Sequence, residues 1–179
     1  MLYHAYELTH AALAPWRAAA QMGRHALTNP MNPMSMTYPA RAMAASMEMF
    51  VNATRRYGKP EFGIDEVEIA GETLPLTERV VWSKPFCDLL HFKRDHALAH
   101  ARNDPKVLIL APMSGHFATL LRGTVEAMLP EHDVYITDWQ DARNVPLAEG
   151  RFDLDDYIDY VIEMCRFLSK DGERVNVMG

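Results

Sequence analysis

Between Lys106 and Met178 the chain alternates short apolar runs with amphipathic stretches, and this alternation restricts the fold more than any other feature. "KVLILAP" is an uninterrupted apolar run of the kind a strand shows when both faces of its sheet are covered. "FATLLRGTVEAML" follows, with Phe117, Leu120, Leu121, Val125 and Met128 in helical register, and "DVYITDW" then supplies a second strand. A third unit repeats the scheme: Leu154, Tyr157, Ile158, Val161, Ile162, Cys165 and Leu168 form one helical stripe, Gly172 ends it, and "RVNVM" returns as a strand. Asp153, Asp155 and Asp156 stand at the positive end of that helix, and Arg166 and Lys170 at its negative end. Strand, helix, strand, helix, strand at these spacings implies right-handed parallel crossovers with helices covering the sheet. The expected class is α/β with a mostly parallel sheet.

Upstream of this block the periods differ. Ala5, Leu8, Ala12, Trp16 and Ala20 recur at helical steps, predicting a helix bent or restarted near Pro15. "TNPMNPM" reads as a loop, and Met43, Met47, Phe50, Val51 and Thr54 then share one face of a second helix, Arg41 to Tyr57. From Gly63 the period becomes two: Val67 and Ile69 alternate with Glu66 and Glu68, Gly71 marks a turn, and "RVVW" and "DLLHF" extend an antiparallel lead-in. His96 to Asn103 is expected as a short helix or connector. The expected organisation is a helical region over 1–62 and an α/β part over 63–179, within a single domain.

Bulk properties exclude several function classes. A net charge of −6 leaves no electrostatic footprint for nucleic acid, since phosphate binding needs clustered Lys and Arg. The two cysteines, Cys87 and Cys165, are too few for a disulfide framework and fit a reducing cytoplasm. The sequence shows neither an export signal nor an apolar run long enough to span a bilayer. The dinucleotide fingerprint and the phosphate-binding loop are both absent, and no cofactor is implied.

Chemistry in a parallel sheet gathers at the carboxyl ends of the strands. The first such loop, "APMSGHFATL", has a flexible middle at Ser114-Gly115 that could turn backbone N–H groups toward a crevice as an oxyanion hole. A plain strand-to-helix turn at Gly115 is an equally good reading, and His116 is a candidate crevice residue. After the second strand, Asp138, Asp141 and Arg143 suit an ion pair that fixes a loop. The third loop would open on Gly179. "VNVMG" reads as a buried strand and the first glycine of a nucleophile-bearing turn of the α/β-hydrolase kind, which would put the attacking residue two positions beyond Gly179.

The stretch "VLILAPMSGHFATLLRGTVEAMLPEHDVYITDWQDARNVPLAEGRFDLDDYIDYVIEMCRFL", with "MSMTYPARAMAASMEMF" and "LPLTERVVWSKPFCDLLHFKR" before it, resembles the intracellular polyhydroxyalkanoate (polyhydroxybutyrate) depolymerases. Its most specific pieces are "APMSGH", "TDWQDAR" and "FDLDDYIDY". The resemblance implies an α/β-hydrolase type related to polyhydroxyalkanoate synthases, acting on polyester granules in bacterial cytoplasm. It also implies a cysteine nucleophile in a lipase-box-like turn, with an aspartate and a histidine further along. It carries over the loop Met113, Ser114, Gly115, His116 and Phe117 as the oxyanion side, and the strand ending at Gly179 as the elbow. The chain then corresponds to the N-terminal half of such an enzyme and is expected to be inactive alone.

Other groups are weaker candidates. His96 and His100 are four apart, with His91 nearby, but no third ligand at a recognisable spacing accompanies them, so no metal site is expected. Cys87 with His91 could form a nucleophile–base pair on a helix, but Pro85 and the apolar context indicate extended chain. Seven of the twelve methionines lie between Met22 and Met49, which suits either packing or adhesion to a hydrophobic granule. The expected partner is the polyester granule, with self-association through an exposed strand edge as a further expectation.

Overall fold

A computed structural model of the protein describes residues 2–94, 102–113, 117–170 and 172–179. The chain divides into two compact units, one ending at Gly58 and the other running from Lys59 to Gly179.

The first unit is a helical hairpin. Helix α1, Leu2–Thr28, is rich in alanine and runs through Pro15 as one helix, although Pro15 has no N–H to donate to the Ala11 carbonyl. After a loop and a short 3-10 turn at Pro33–Met36, helix α2 spans Tyr38–Thr54, with Pro39 in its first turn where no donor is needed. The shielded positions follow strict steps of three and four: His10, Leu13, Arg17, Ala20, Arg24 and Leu27 on α1, and Ala40, Ala44, Met47, Val51 and Thr54 on α2. The helices run antiparallel. Arg24 pairs with Glu48 at 2.8 Å, Arg17 donates to the Thr54 carbonyl at 3.1 Å, and Arg56 pairs with Glu7. Gly23 lets Met47 lie close, since a Cβ there would stand 3.0 Å from its sulfur.

The seam differs from the stripes expected from sequence. Leu8 and Trp16 face solvent at 72% and 68% exposure, and Met43 also lies outside the seam. Alanine, leucine, methionine and tryptophan occur all around α1, so periodicity permits more than one stripe. The polar Arg17 takes a seam position by donating to the Thr54 carbonyl of the partner helix, and it also donates to the carbonyl of His10 beside it on α1.

The second unit is a six-stranded sheet in the order β1-β2-β3-β5-β4-β6. The strands are β1 Glu66–Ile69, β2 Glu72–Lys84, β3 Cys87–Arg94, β4 Lys106–Ile109, β5 Asp133–Trp139 and β6 Val175–Met178. Strands β1, β2, β3 and β5 pair antiparallel in succession, whereas β4 pairs parallel with both β5 and β6. The expectation of a mostly parallel sheet is therefore corrected: three of the five pairings are antiparallel, because β3 intervenes between β2 and β5. The α/β class and the antiparallel lead-in are observed. Strands β2, β4, β5 and β6 nevertheless all point the same way.

Local chemistry explains the connections. The β1–β2 turn places Ala70 and Gly71 at φ of +53° and +83°, the two left-handed positions of a tight two-residue hairpin. Strand β2 carries an irregularity between Val80 and Trp82, which bends its long ribbon. The expected first crossover helix is instead a 3-10 turn, Ala118–Leu121, leading into the short α3, Arg122–Met128. The second, α4 (Leu154–Leu168), starts on a reciprocal cap: Asp153 accepts from the Asp155 and Asp156 N–H groups, and Asp156 accepts from Asp153 N–H. Its buried face is Met164 and Leu168, with Tyr157 and Tyr160 packed beside them, while Leu154, Ile158 and Ile162 face outward.

Trp139 of β5 stacks on Tyr157 at 4.8 Å between ring centroids, so α4 covers the face bearing the odd-numbered residues of β5. The end of α3 lies on the other face, where Arg94 donates to the Leu129 carbonyl at 3.1 Å. Phe62 packs edge-on against Phe92 on that face, and Arg122 holds the Phe62 and Gly63 carbonyls. Leu89, Leu108, Ile109, Val134 and Ile136 are buried between the layers. Strand β6 is not an interior ribbon covered on both faces: it lies at a sheet edge, with Asn176 and Val177 exposed. Among the described residues no helix is long and apolar enough to cross a membrane.

Candidate crevice at the carboxyl edge of the parallel strands

Strands β4 and β6 are parallel neighbours in register, Ile109 beside Met178, so the segments that follow them emerge side by side. The Leu110 N–H donates to the Met178 carbonyl at 2.8 Å, extending the pairing past the end of β4. A Cβ on Gly179 would lie 3.6 Å from the Leu110 Cβ, an ordinary contact. The structure thus brings Gly179 and the entrance of the Met113–Phe117 loop to one edge of the sheet. Met113 and Phe117 are both partly exposed there. Ser114, Gly115 and His116 lie outside the described residues.

The base of that loop is held by two residues that were not singled out from sequence. The Ala111 N–H donates to Thr137 Oγ1 at 2.9 Å, and the Trp139 indole N–H donates to the Ala111 carbonyl at 3.0 Å. Both backbone groups of Ala111 are therefore tied to β5, which orients the chain as it turns out of the sheet. The one local signal was "TDW", where Thr137 and Asp138 interrupt an apolar run.

The loop after β5 is fixed as expected from an ion pair, though with narrower membership. Arg143 Nε lies 3.0 Å from both Asp141 oxygens, and the Arg143 N–H donates to Asp141 Oδ1. Asp138 belongs to a different pair. It is buried, and Lys59 is bonded to its Oδ2, while its Oδ1 is also buried and has no hydrogen-bond partner among the described residues. Beside this loop a cavity of about 470 Å³ opens among Lys84, Pro85, Asp88, Gln140, Asn144 and Pro146. Asp88 is held there by Ser83 at 2.5 Å and Gln140 at 2.7 Å.

Neither cysteine is equipped as a nucleophile. Cys87 is fully buried in β3, and burial pushes its thiol far above the usual range; burial also raises Cys165 on α4. Thiols shifted upward stay protonated at neutral pH. Cys87 and His91 stand four residues apart on one strand, a separation of about 13 Å, too far for a nucleophile–base pair. His96 and His100 lie outside the described residues, as does most of the His96–Asn103 connector. Among the described residues no three His, Cys, Asp or Glu side chains gather as a metal site.

No protein family, curated protein or solved structure matches this chain.

Proposed function

We propose that this chain forms part of an ester hydrolase of the polyhydroxyalkanoate depolymerase type, with an α/β-hydrolase-like sheet whose crevice lies at the carboxyl edge of β4 and β6. The observation that supports this reading is the adjacency of Leu110, three residues before the candidate oxyanion loop starts, and Gly179, where a nucleophile turn would begin. In such a site the attacking residue, two positions past Gly179, adds to the ester carbonyl. Amide N–H groups of the Met113–Phe117 loop receive the negative charge that develops on oxygen. Thr137 and Trp139 act by positioning Ala111, and hence the loop.

The test is to read the codons following Gly179 and assay the extended polypeptide on amorphous polyhydroxybutyrate granules. The expected result is a cysteine or serine two positions on, release of 3-hydroxybutyrate units, and a loss of at least about a thousandfold on changing that residue to alanine. The 179 residues alone are expected to leave the polymer intact. Hydrolysis by them, or a helix-forming extension without a nucleophile, overturns the assignment. Incorporation of 3-hydroxybutyryl-CoA by the extended chain would instead place it with the synthases.

A second reading, adhesion to the granule without catalysis, is favoured by the exposed apolar flank of the hairpin. Leu13, Trp16, Ala19, Ala20, Met47 and Phe50 line a groove of about 540 Å³ there. It requires co-sedimentation with granules without monomer release, weakened when Trp16 and Phe50 are changed to serine.

A further inference from the structure

The loop that closes the helical hairpin carries "MNPMSM", in which Met31, Met34 and Met36 bring three thioether sulfurs into one short segment. These residues are 88%, 61% and 84% exposed. Methionine usually fills irregular gaps in a core, and these three fill none. From Ala26 to Ala40 the sequence holds no Asp, Glu, Lys, Arg or His, so the loop itself supplies neither charge nor imidazole.

The backbone beneath the sulfurs is fixed. The Asn32 N–H donates to the Asn29 carbonyl at 2.9 Å, the Ser35 N–H to the Asn32 carbonyl at 3.0 Å and the Thr37 N–H to the Met34 carbonyl at 2.9 Å. Asn32 Nδ2 also ties the loop to the Ala26 carbonyl at the end of α1, at 2.9 Å. Met34 and Met36 belong to the 3-10 turn Pro33–Met36, and Met31 stands just before it. Even in an extended chain, three residues span at most about 11 Å and two about 7 Å, and turns shorten both. Methionine arms with three rotatable bonds can therefore close on one ion.

The same hydrogen bonds decide which kind of ion the loop can take. The Asn29 side-chain oxygen accepts from the Met31 N–H at 2.9 Å, and the Asn32 side-chain oxygen from the Met34 N–H at 3.0 Å. Thr37 Oγ1 adds a second donor to the Met34 carbonyl at 2.7 Å. The amide oxygens that calcium or magnesium would need are thus engaged by the backbone, and the loop has no carboxylate. It also lacks the thiolate and imidazole ligands that zinc favours. What remains is a set of neutral, polarisable sulfurs, the donors that select Cu(I).

We propose that the hairpin tip binds one soft monovalent metal ion of the Cu(I) class through the thioethers of Met31, Met34 and Met36. Once one sulfur holds the ion, the other two meet it intramolecularly, which raises their effective concentration. The site belongs to the hairpin unit and does not depend on the hydrolase assignment.

The test uses the full chain with isotope-labelled methionine methyl groups, followed by NMR. It is titrated in chloride-free buffer with Ag(I), a soft monovalent ion that air does not oxidise, and separately with Zn(II). The Met31, Met34 and Met36 methyl signals are expected to shift together along one saturable curve. Met22 and Met49, exposed at 68% and 74% elsewhere on the hairpin, should need at least about tenfold more Ag(I), because each acts alone. Zn(II) should move none of the five. These signals report the tip directly, whether or not Cys87 or Cys165 takes up a further ion. M34L, a change at an exposed position, is expected to weaken Ag(I) binding at Met31 and Met36 at least about tenfold. Equal response of all five methionines, shifts that grow linearly without saturation, a matching response to Zn(II), or unaltered binding in M34L overturns the proposal. The titrations of the unaltered chain decide the question even where M34L fails to fold.

Discussion

The helical hairpin and the sheet unit solve the problem of burial in opposite ways. In the sheet unit, strands from distant parts of the sequence enclose Leu89, Leu108, Val134 and Ile136, which are almost wholly removed from water. In the hairpin, two helices meet along a thin seam. Ala40, Ala44 and Val51 are its buried apolar residues, and Trp16, Met43 and Met49 remain exposed. Charge divides in the same way. Residues 1–58 hold five arginines and two glutamates, a net of +3, so within a total of −6 the remainder carries −9. A helix pair can form from local contacts alone, whereas a six-stranded sheet exists only once its distant strands have met. Stability is therefore expected to concentrate in the sheet.

The largest test of that contrast is a pair of truncations. I136A removes a fully buried side chain and should destabilise the sheet unit by about 2–5 kcal/mol, read as a lower urea midpoint. W16A removes a larger side chain from an exposed position and should change stability by no more than about 0.5 kcal/mol. A large loss from W16A would mean that the flank is covered in solution, and would break the contrast.

Ion pairs sharpen the comparison at a smaller scale. Arg24–Glu48 joins two accessible side chains on the hairpin, so E48Q should cost about 0.5 kcal/mol or less. Lys59–Asp138 is asymmetric: the lysine is partly exposed, but the aspartate side chain is only 4% exposed. K59M strands a carboxylate whose other oxygen already lacks a partner, and should cost about 1–3 kcal/mol. Following both variants by urea unfolding separates the two cases. Equal effects would show that water reaches Asp138 as readily as Glu48.

What could be read from sequence follows the same division. The apolar runs of β4 and β5 were legible because continuous burial leaves a continuous apolar signature, whereas the strand at Val175–Met178 stands where it was expected but is half-exposed at the sheet edge. The three antiparallel pairings were less so, because β2 is long, irregular near Val81 and largely exposed. The stripe on α4 was misjudged by part of a turn: Tyr157, Cys165 and Leu168 of the expected stripe do pack inward, but Tyr160, against Trp139, and Met164 join them in place of Leu154, Ile158 and Ile162, and the Trp139 contact has no local trace in the helix sequence. Lys59–Asp138 and His91–Asp133 join residues 79 and 42 positions apart, so only folding reveals them. At the candidate crevice, "APMSGH" and "VNVMG" were visible as loop and strand signals. The roles of Thr137 and Trp139 in holding Ala111 were not, because each depends on the neighbouring strand.

The smallest expected effect concerns His10, a polar residue in the hairpin seam. Its Nε2 is shielded and has no hydrogen-bond partner among the described residues, and Arg17 Nη2 lies 3.5 Å from Nδ1. Burial first, and then the Arg17 and Arg56 charges, lower its affinity for a proton, against a smaller opposing effect of Glu7. The unfolded chain therefore takes up a proton at a higher pH than the folded hairpin does. The stabilising contribution of neutral His10 is fully present above the ordinary histidine pKa of about 6.5 and is lost as pH falls below it. Hydrogen-exchange protection of the α1 and α2 amides is expected to fall between pH 7.5 and pH 5.5, and H10Q should flatten that dependence. The buried amides of β4 and β5 should show no matching H10Q-sensitive change. If H10Q left the hairpin's pH profile unaltered, another group in the seam would be titrating, and the link between a thin polar seam and pH-sensitive stability would fail.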